Sequence, residues 1–332
     1  MHEFEISRCK VIKIANRTER EIIDYGVRMV GAPLEWNETT GENVRVGIID
    51  TGVDTDHIEL KNRIKDGINF SGGSEDDFED ENGHGTHIAG IVAAERNGVG
   101  VVGVAPKADL YIAKAFGAGG KTDYSAIEKS VRWLEDKKVD VINMSFSSGY
   151  TSAKYRSLIW DAHKKGISII CAAGNEGELG NNTIGYPANF PETVAVSAVD
   201  INRNIADFSS RGKAAEICAA GIDIYSTFLN GGYATLSGTS MACPIITGAV
   251  AILQSKGYLR YGRRLTPEEI RLLLNIYTEK HGEKGRDNCY GYGIFSFGRI
   301  MAEDFVYSSV MRTPPRNPVS TAAAAMLMGL LR

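Results

Sequence analysis

The feature that most constrains the fold is a repeated type of apolar run. Five short segments are rich in β-branched residues without alternating apolar and polar positions: VRVGIID (44–50), LYIAKAF (110–116), VDVINMS (139–145), ISIICAA (167–173) and TVAVSAV (193–199). Strands of this kind are buried on both faces, as in a parallel sheet between two layers of helices. Helical patterns occur at 86–95, 124–137, 151–165 and 266–280. The last has Pro267 and acidic residues at its start, as is typical of a helix N-terminus.

Strands that alternate with helices predict an α/β fold: a doubly wound, mainly parallel sheet with helices on both faces and right-handed crossovers. Ligands bind at the carboxyl ends of the strands in such folds. Asp50 ends the first run, and Asn175 follows the fourth run closely. We interpret 26–300 as the main folded domain, 1–25 as an N-terminal extension and 301–332 as a C-terminal tail.

Composition excludes several classes of function. The 332 residues suffice for a full core, and the net charge of -4 gives no electrostatic reason to bind nucleic acid or an anionic membrane. The number of cysteines is odd, and none forms a CxxC motif, which predicts free buried thiols in a reducing compartment: Cys9, Cys171, Cys218, Cys243 and Cys289.

The N-terminus has charges throughout and no apolar core of a secretory signal. The longest apolar runs, near 241–253 and 321–331, are shorter than the roughly 20 residues that span a bilayer. These features predict a soluble, cytoplasmic protein.

Three blocks carry residues suited to nucleophilic catalysis. IIDTGVDTDH has Asp50 at a strand end, NGHGTHIAG brings His84 into a helix through glycines, and LSGTSMACP has Ser240 at the start of an apolar helix. A serine hydroxyl is a poor nucleophile until a histidine accepts its proton, and a carboxylate must orient that histidine. A helix N-terminus adds positive dipole beside a developing negative charge. We expect Pro244 to lie in the first turn of this helix, where no hydrogen-bond donor is lost.

Other interpretations of these residues are weaker. DTG also occurs in aspartic proteases, but that class needs a second DTG or DSG, which is missing here. His84 and His87 form HxxH, but the sequence has no HExxH pattern and no third ligand nearby. Asp50 could be only a turn residue, and Ser240 only a helix cap. Neither alternative explains why all three blocks occur in the same sequence. We interpret His87 as a structural histidine and the acidic stretch 75–81 as a solvated loop.

The blocks DTG, HGTHIAG and GTSMACP resemble the signatures of the subtilisin family of serine proteases (peptidase S8), in that family's order of acid, histidine and serine. CAAGNEG (171–177) is similar to its oxyanion loop, which implies that the Asn175 side chain and the Ser240 backbone N–H stabilise the oxyanion. The resemblance covers about 26–300. It implies an endopeptidase of broad specificity for protein or peptide substrates that works through an acyl-enzyme. The missing signal, the short leader and the free cysteines make the chain most similar to the bacterial intracellular subtilisins.

The resemblance also implies the parts of a substrate cleft. Its edges would be Gly120-Lys121-Thr122 and Ser145-Phe146-Ser147, and Tyr124 would border a distant apolar subsite. Ala172, Ala173 and Gly174 would line the first specificity pocket. The sequence departs from the family where Ser147 and Ser148 replace two glycines, so subsite preferences cannot be transferred. It departs again at Ile245, which replaces a histidine and which we interpret as a packing change.

The loop AERNGVGVVGVAP (94–106) resembles the family's tight calcium loop. The resemblance implies a structural Ca²⁺ bound mainly by oxygen atoms of side chains and backbone carbonyls. The side-chain ligands would be Asn97 and Glu59, where the family usually has aspartate, and the carbonyl ligands would be Glu95, Val99 and Val101.

The first 25 residues begin with the β-prone run FEISRCKVIKI, which is suited to add as a strand to the substrate edges. We interpret this segment as a short inhibitory leader, although the proline-containing element of intracellular subtilisins is missing. Resemblance to those proteins also implies a homodimer. The alternative function is a catalytically silent protein that binds partners through the same cleft, but such relatives usually lose a triad member, and all three are present.

Overall fold

A computed structural model of the chain describes residues 3–6, 10–15 and 20–299. In these ranges the strands are β1 (Glu3–Glu5), β2 (Lys10–Ala15), β3 (Arg45–Asp50), β4 (Ile64–Asn69), β5 (Asp109–Lys114), β6 (Lys121–Asp123), β7 (Val141–Met144), β8 (Ser168–Ala172), β9 (Val194–Val199), β10 (Ala215–Ala220), β11 (Ile224–Phe228), β12 (Gly232–Ser237), β13 (Thr278–Glu279) and β14 (Ile294–Phe295). The α-helices are α1 (Tyr25–Met29), α2 (Ala32–Glu35), α3 (His84–Ala93), α4 (Tyr124–Asp136), α5 (Ala153–Lys164), α6 (Thr239–Tyr261) and α7 (Pro267–Ile276).

The main sheet has the strand order β13-β14-β10-β9-β8-β7-β3-β5-β4 among the described residues. All neighbours pair in parallel except β13 and β14 at one edge. The five apolar runs of the sequence correspond to β3, β5, β7, β8 and β9. The predicted doubly wound α/β fold is therefore confirmed.

Each central strand is buried on both faces because helices cover the two sides. In β3, Ile48 packs in a core with α3, α6 and α7, whereas Ile49 packs in a second core with α4 and α5. All five residues of β8 are buried. This two-sided burial explains why the sequence shows continuous apolar runs instead of an alternating pattern.

Two helices illustrate how local sequence sets the boundaries. Helix α7 begins with a capping box, in which Thr266 and Glu269 satisfy each other's backbone N–H groups, and Pro267 occupies the first turn as predicted. Helix α6 is buried from Thr239 to Gly257, so it lies in the core as a hydrophobic helix, not on the surface as an amphipathic one.

Two small sheets lie beside the main one. Strand β1 pairs antiparallel with β6, and β12 lies between β11 and β2, antiparallel to both. Both sheets therefore include a strand of the N-terminal extension.

The remaining predictions concern cysteines and the ends of the chain. Cys171, Cys218 and Cys243 are free and buried, but Cys289 is only half-buried because it lies in the turn-rich segment after α7; the expectation of burial was wrong for this thiol. Cys9 and the tail 301–332 lie outside the described residues. Within the described ranges, no helix combines the length and hydrophobicity needed to cross a bilayer.

Candidate active site

Asp50 and His84 meet at the carboxyl end of the sheet. Asp50 is the last residue of β3, His84 is the first residue of α3, and both side chains are buried. His84 Nδ1 donates to Asp50 Oδ1 at 2.7 Å, and the same oxygen accepts the Thr51 N–H at 2.8 Å. Because Nδ1 carries the proton, Nε2 is the nitrogen that can accept one.

A second carboxylate holds the start of α3. Asp80 is buried, and its Oδ1 accepts the N–H groups of Asn82 and Gly83 at 2.9 Å. Its Oδ2 accepts the N–H and the hydroxyl of Thr86 at 2.9 and 2.6 Å. Asp80 therefore satisfies donors on both sides of His84, an example of N-terminal capping from outside the helix.

The stretch 75–81 is thus only partly a solvated loop. Its other acidic residues are exposed, but the prediction was wrong for Asp80, which is buried because it caps α3. The D-x-N-G spacing before His84 was the available sequence signal, since Asp and Asn favour such turns.

Gly85 allows His84 to approach the sheet. A Cβ atom at this position would overlap the Gly52 carbonyl oxygen and would lie 3.2 Å from Asp50 Cβ. The Gly85 N–H donates to Thr51 Oγ1 at 2.9 Å. Only glycine therefore fits between the histidine helix and the strand that carries the acid.

Ser240 is the second residue of α6 and is fully buried. Its hydroxyl donates to the Ser145 carbonyl at 2.9 Å, and the Ser145 hydroxyl donates back to the Ser240 carbonyl at 3.0 Å. Among the described residues, no acceptor lies within hydrogen-bonding distance of the Ser240 N–H. This donor is one of those that every helix N-terminus leaves without an intrahelical partner.

Pro244 is the sixth residue of α6, so the expectation that it lies in the first turn was wrong. A proline there removes the N–H that would donate to the carbonyl four residues earlier, which is that of Ser240. The Ser145 hydroxyl supplies the replacement donor. The proline therefore leaves the Ser240 carbonyl available to Ser145, which was predicted only as an edge of the cleft.

A buried network of hydrogen bonds centred on Asn143 holds the Ser145 side chain. Asn143 Nδ2 donates to Ser145 Oγ at 2.9 Å, and Asn143 Oδ1 accepts from Thr247 Oγ1 at 2.9 Å and from Cys243 Sγ at 3.2 Å. Burial raises the pKa of Cys243 to about 12, which keeps the thiol protonated as a donor. Sequence reasoning missed Asn143, because a polar residue within a buried strand gives no motif by itself.

Thr239 orients Asn175. Asn175 Oδ1 accepts the N–H of Thr239 at 2.9 Å and its hydroxyl at 2.8 Å, while Thr239 Oγ1 accepts the Gly174 N–H at 3.2 Å. The amide oxygen of Asn175 therefore faces Thr239, and the Nδ2 donor faces the opposite side. This arrangement brings Asn175 next to the residue that precedes Ser240.

The two predicted cleft edges lie on either side of β1. Glu5 is paired with Lys121 of β6 on one side and forms an antiparallel bridge with Ser147 on the other. Phe4 is paired with Thr122, and the Ile6 N–H donates to the Gly120 carbonyl at 2.9 Å. The structure therefore brings the edge residues together around a strand of the chain itself.

Phe4 fills an aromatic pocket. Its side chain is fully buried, and its ring contacts those of Phe146, Tyr150 and Tyr155 edge-on at 5.5–6.1 Å between centroids. Tyr124 packs against Tyr150 and Tyr155, so it borders this pocket. Partial burial raises the pKa of Tyr124 to about 12.

After β1, the second strand of the N-terminal extension, β2, pairs with β12. Lys10 lies opposite Ser237, three residues before Ser240. Residues 7–9, which connect the two strands in sequence, lie outside the described residues.

Ala172, Ala173 and Gly174 are buried where β8 leads into Asn175. Gly174 has φ +107°, which favours glycine, and a Cβ atom there would meet the side chains of Glu176, Ser210 and Ser147. These residues therefore form one wall beside Asn175, and Ser147 lies across from it.

The predicted calcium loop contains oxygen atoms without hydrogen-bond donors. No donor within the described ranges is directed at the carbonyl groups of Glu95, Val99 or Val101. Asn97 Oδ1 accepts only the Val99 N–H, at 3.2 Å. Glu59 is buried, and its Oε1 accepts the Val101 N–H at 2.9 Å and the Tyr233 hydroxyl at 3.0 Å. Three carbonyls and an amide oxygen of the loop, together with the carboxylate of Glu59 beside it, are oxygen ligands of the kind that Ca²⁺ prefers.

Side chains alone do not mark this site. In the described part of the chain, no three His, Cys, Asp or Glu side chains form a cluster that could hold a metal. Glu21 is a neighbour that sequence reasoning missed: its Oε1 accepts the Gly98 N–H at 2.8 Å and ties the loop to the chain before α1.

Two further residues are buried. His87 Nε2 lies 3.1 Å from the carbonyl oxygens of Ile224 and Ala234, and burial lowers its pKa to about 3. A buried neutral histidine that contacts carbonyl groups of β11 and β12 has the structural role that the sequence predicted. Ile245 packs in the apolar core, where a Cβ atom on Gly26 would lie 2.8 Å from its Cδ1.

Comparison with known proteins relates this arrangement to one family. Residues 41–293 match the sequence profile of Peptidase S8, described as the subtilase family. The chain is 41% identical over 253 residues to an intracellular serine protease of Paenibacillus polymyxa, a match that covers 75% of this chain and 78% of that protein. It is 43% identical over 238 residues to subtilisin DY of Bacillus licheniformis, covering 71% and 86%. It is 38% identical over 265 residues to the major intracellular serine protease of Bacillus subtilis (strain 168), covering 76% and 83%.

Proposed function

Because this chain belongs to the subtilase family and is a subtilisin-like serine endopeptidase, we propose that Asp50, His84 and Ser240 form its catalytic triad. The observation that carries the proposal is the buried 2.7 Å bond between His84 Nδ1 and Asp50 Oδ1, with His84 on a helix that packs against α6, whose second residue is Ser240. Asp50 orients the imidazole and stabilises its protonated form.

In the free protein, the Ser240 hydroxyl donates to Ser145. For reaction it turns its proton to His84 Nε2, and Ser240 Oγ attacks the substrate carbonyl carbon. His84 then gives that proton to the leaving amine, and the C–N bond breaks to leave an acyl-enzyme. Water, deprotonated by the same histidine, releases the product acid.

The negative charge of each tetrahedral intermediate needs donors already in place. We assign this role to the Asn175 side chain, held by Thr239, and to the Ser240 N–H. Such preorganised donors act without reorganisation cost at the moment of reaction.

The proposed nucleophile is tested by labelling with a fluorophosphonate. We expect one adduct, on the peptide that contains Ser240, and none after prior unfolding of the protein, since only the triad activates this serine. A folded protein that stays unlabelled and cleaves no denatured substrate would instead be the silent binding protein.

The N-terminal extension acts, we infer, as an inhibitory leader. Its support is that β1 lies between the two predicted cleft edges, with Phe4 buried in the aromatic pocket and Glu5 paired on both sides. A tethered segment has an effective concentration near the millimolar range, so even a weak contact suffices to inhibit.

Removal of residues 1–19 tests the leader and keeps Glu21 on the loop it binds. We expect a higher initial rate and no lag, and the lag of the full chain should shorten when active enzyme is added. Phe4→Ala should act in the same direction, and exposed Lys13→Ala should not. Equal initial rates for the full and shortened chains would disprove inhibition by the leader.

The loop at 94–106 fits a structural Ca²⁺ held by Glu59, Asn97 and the carbonyls of Glu95, Val99 and Val101. A bound ion would stabilise the folded state by mass action. Excess chelator should therefore lower the melting temperature, and Glu59→Gln should remove much of that response, whereas exposed Glu178→Gln should keep it. A chelator-insensitive melting curve without metal on elemental analysis would exclude the site.

We also propose that the enzyme degrades proteins inside the cell with broad sequence specificity and that it forms a homodimer. Two of the similar proteins carry the name intracellular serine protease. Cell fractionation tests the location of the enzyme. Measurement of its molar mass in solution by light scattering tests the homodimer.

A further inference from the structure

Ser147 has a side chain where the resemblance leads one to expect bare backbone. Its hydroxyl lies between two glycines: a Cβ atom on Gly185 would overlap Ser147 Oγ, and one on Gly174 would lie 3.1 Å from it. Gly174 directly precedes Asn175, and Gly185 directly precedes Tyr186. The Ser147 side chain therefore lies in the gap between two segments, the wall formed by residues 172–174 and the segment that contains Gly185.

This gap is the part of the cleft next to the proposed chemistry. The Gly174 N–H donates to Thr239 Oγ1, and Thr239 adjoins Ser240 and orients Asn175. The P1 residue of a substrate is the one whose carbonyl is attacked. When its side chain enters the gap, its carbonyl lies beside Ser240 and Asn175.

Glu176 makes the same gap narrower and more polar. The Ser210 hydroxyl donates to Glu176 Oε2 at 2.9 Å, and the Glu176 N–H donates to Ser210 Oγ at 3.1 Å. This closed pair holds the carboxylate against Gly174, where a Cβ atom would overlap it. A large apolar side chain in the gap would displace the Ser147 hydroxyl or bury it without a partner, and both are unfavourable.

Ser148 provides an internal contrast. Its Oγ accepts the Tyr150 N–H at 3.0 Å, and its backbone exchanges two hydrogen bonds with Tyr186, at 3.0 and 2.8 Å. The Ser148 hydroxyl therefore bonds within its own turn and not towards the gap. The resemblance leads one to expect glycine at both Ser147 and Ser148.

We infer that Ser147 makes the P1 pocket shallow, so that the enzyme selects substrates with a small P1 side chain over those with an aromatic or long basic one. This inference rests on the proposed protease function and specifies its substrate class.

The test uses the full-length protein and the chromogenic peptides Phe-Glu-Ile-X-p-nitroanilide, where X is Ala, Phe or Lys. The first three residues copy residues 4–6, which lie along the cleft. The ratio of kcat/KM between two peptides is independent of the fraction of enzyme that is inhibited. We expect the Ala peptide to be favoured over the Phe and Lys peptides by about 10-fold or more, the range known for small changes of pocket size.

Two substitutions give opposite expected changes. Ser147→Gly should lower the Ala-to-Phe ratio by about 10-fold, and Ser147→Thr should raise it further. The matched control Ser148→Gly should leave the ratio unchanged.

Preference of the wild type for Phe or Lys, or a ratio that is the same in Ser147→Gly, would overturn the inference and leave the protease function intact. Failure to cleave any of the peptides, together with no fluorophosphonate adduct at Ser240, would overturn both.

Discussion

The starts of α3 and α6 differ in which backbone N–H groups have a side-chain acceptor. At α3, Asp80 accepts donors before and after His84, so this end is closed by a carboxylate. At α6, Asn175 Oδ1 accepts the first N–H of the helix, that of Thr239. The Ser240 N–H has no acceptor in the described part of the chain.

This difference matches what each residue has to do. A general base must keep one orientation, which a capped and buried helix start provides. A nucleophile beside an oxyanion needs a donor that is available to the substrate, and the Ser240 N–H is such a donor. In the proposed mechanism, the same local structure, a helix N-terminus at the carboxyl end of a sheet, serves geometry at α3 and chemistry at α6.

If the α6 start carries the chemistry, its serine gives the largest effect. Ser240→Ala should lower kcat on the order of 10⁶-fold, the size known for this change in subtilisin itself. The fold should be retained, because the change removes one oxygen atom. The measurement is hydrolysis of a peptide p-nitroanilide, with melting temperature as the control. Unchanged casein cleavage by a pure variant would disprove the mechanism.

The oxyanion donor should give the next largest effect. Asn175→Ala should lower kcat about 10²–10³-fold, the known size for loss of this donor in subtilisin, with little change in KM because the bond strengthens only in the transition state. Thr239→Val keeps the N–H bond to Asn175 but loses the hydroxyl bond, so we expect a smaller loss. A larger effect on KM than on kcat in Asn175→Ala would contradict this role.

If the α3 start serves geometry, its cap should affect stability and activity together. Asp80→Ala should cost about 1–2 kcal/mol in unfolding free energy, typical of a lost cap. It should also lower kcat about 10-fold, since His84 is less well held. Exposed Asp76→Ala is the matched control and should change neither quantity. Wild-type kinetics in a destabilised Asp80→Ala protein would show that the cap stabilises the helix without positioning the base.

The second histidine of α3 should affect stability only at acid pH. Burial lowers the pKa of His87 to about 3, so between pH 6.5 and 3 the unfolded chain binds a proton that the folded chain does not. Its contribution to stability is therefore complete above pH 6.5 and declines by at most about 1.4 kcal/mol per pH unit as the pH falls to 3. His87→Gln should flatten the pH dependence of the unfolding free energy in this window. Identical curves for wild type and His87→Gln would refute the assignment.

The sequence by itself determined the parts of the molecule that depend on local pattern. Continuous apolar runs specify strands buried on both faces, so β3, β5, β7, β8 and β9 were predictable, as were the start of α7 at Pro267 and the parallel sheet. Motif order and spacing also led to the proposed triad residues, because nucleophilic catalysis requires these residue types.

Only the tertiary structure decided which groups satisfy one another across distant segments. Asp80 was predictable as a turn residue but not as the cap of α3, because its partners depend on how the chain returns to the helix. The bond between the Ser145 hydroxyl and the Ser240 carbonyl joins residues 95 positions apart, and it forms because Pro244 lies deeper in α6 than its sequence context indicates. The direction of the Ser147 side chain, towards Gly174 and Gly185, likewise follows from packing, since a serine on a strand edge has no preferred partner of its own.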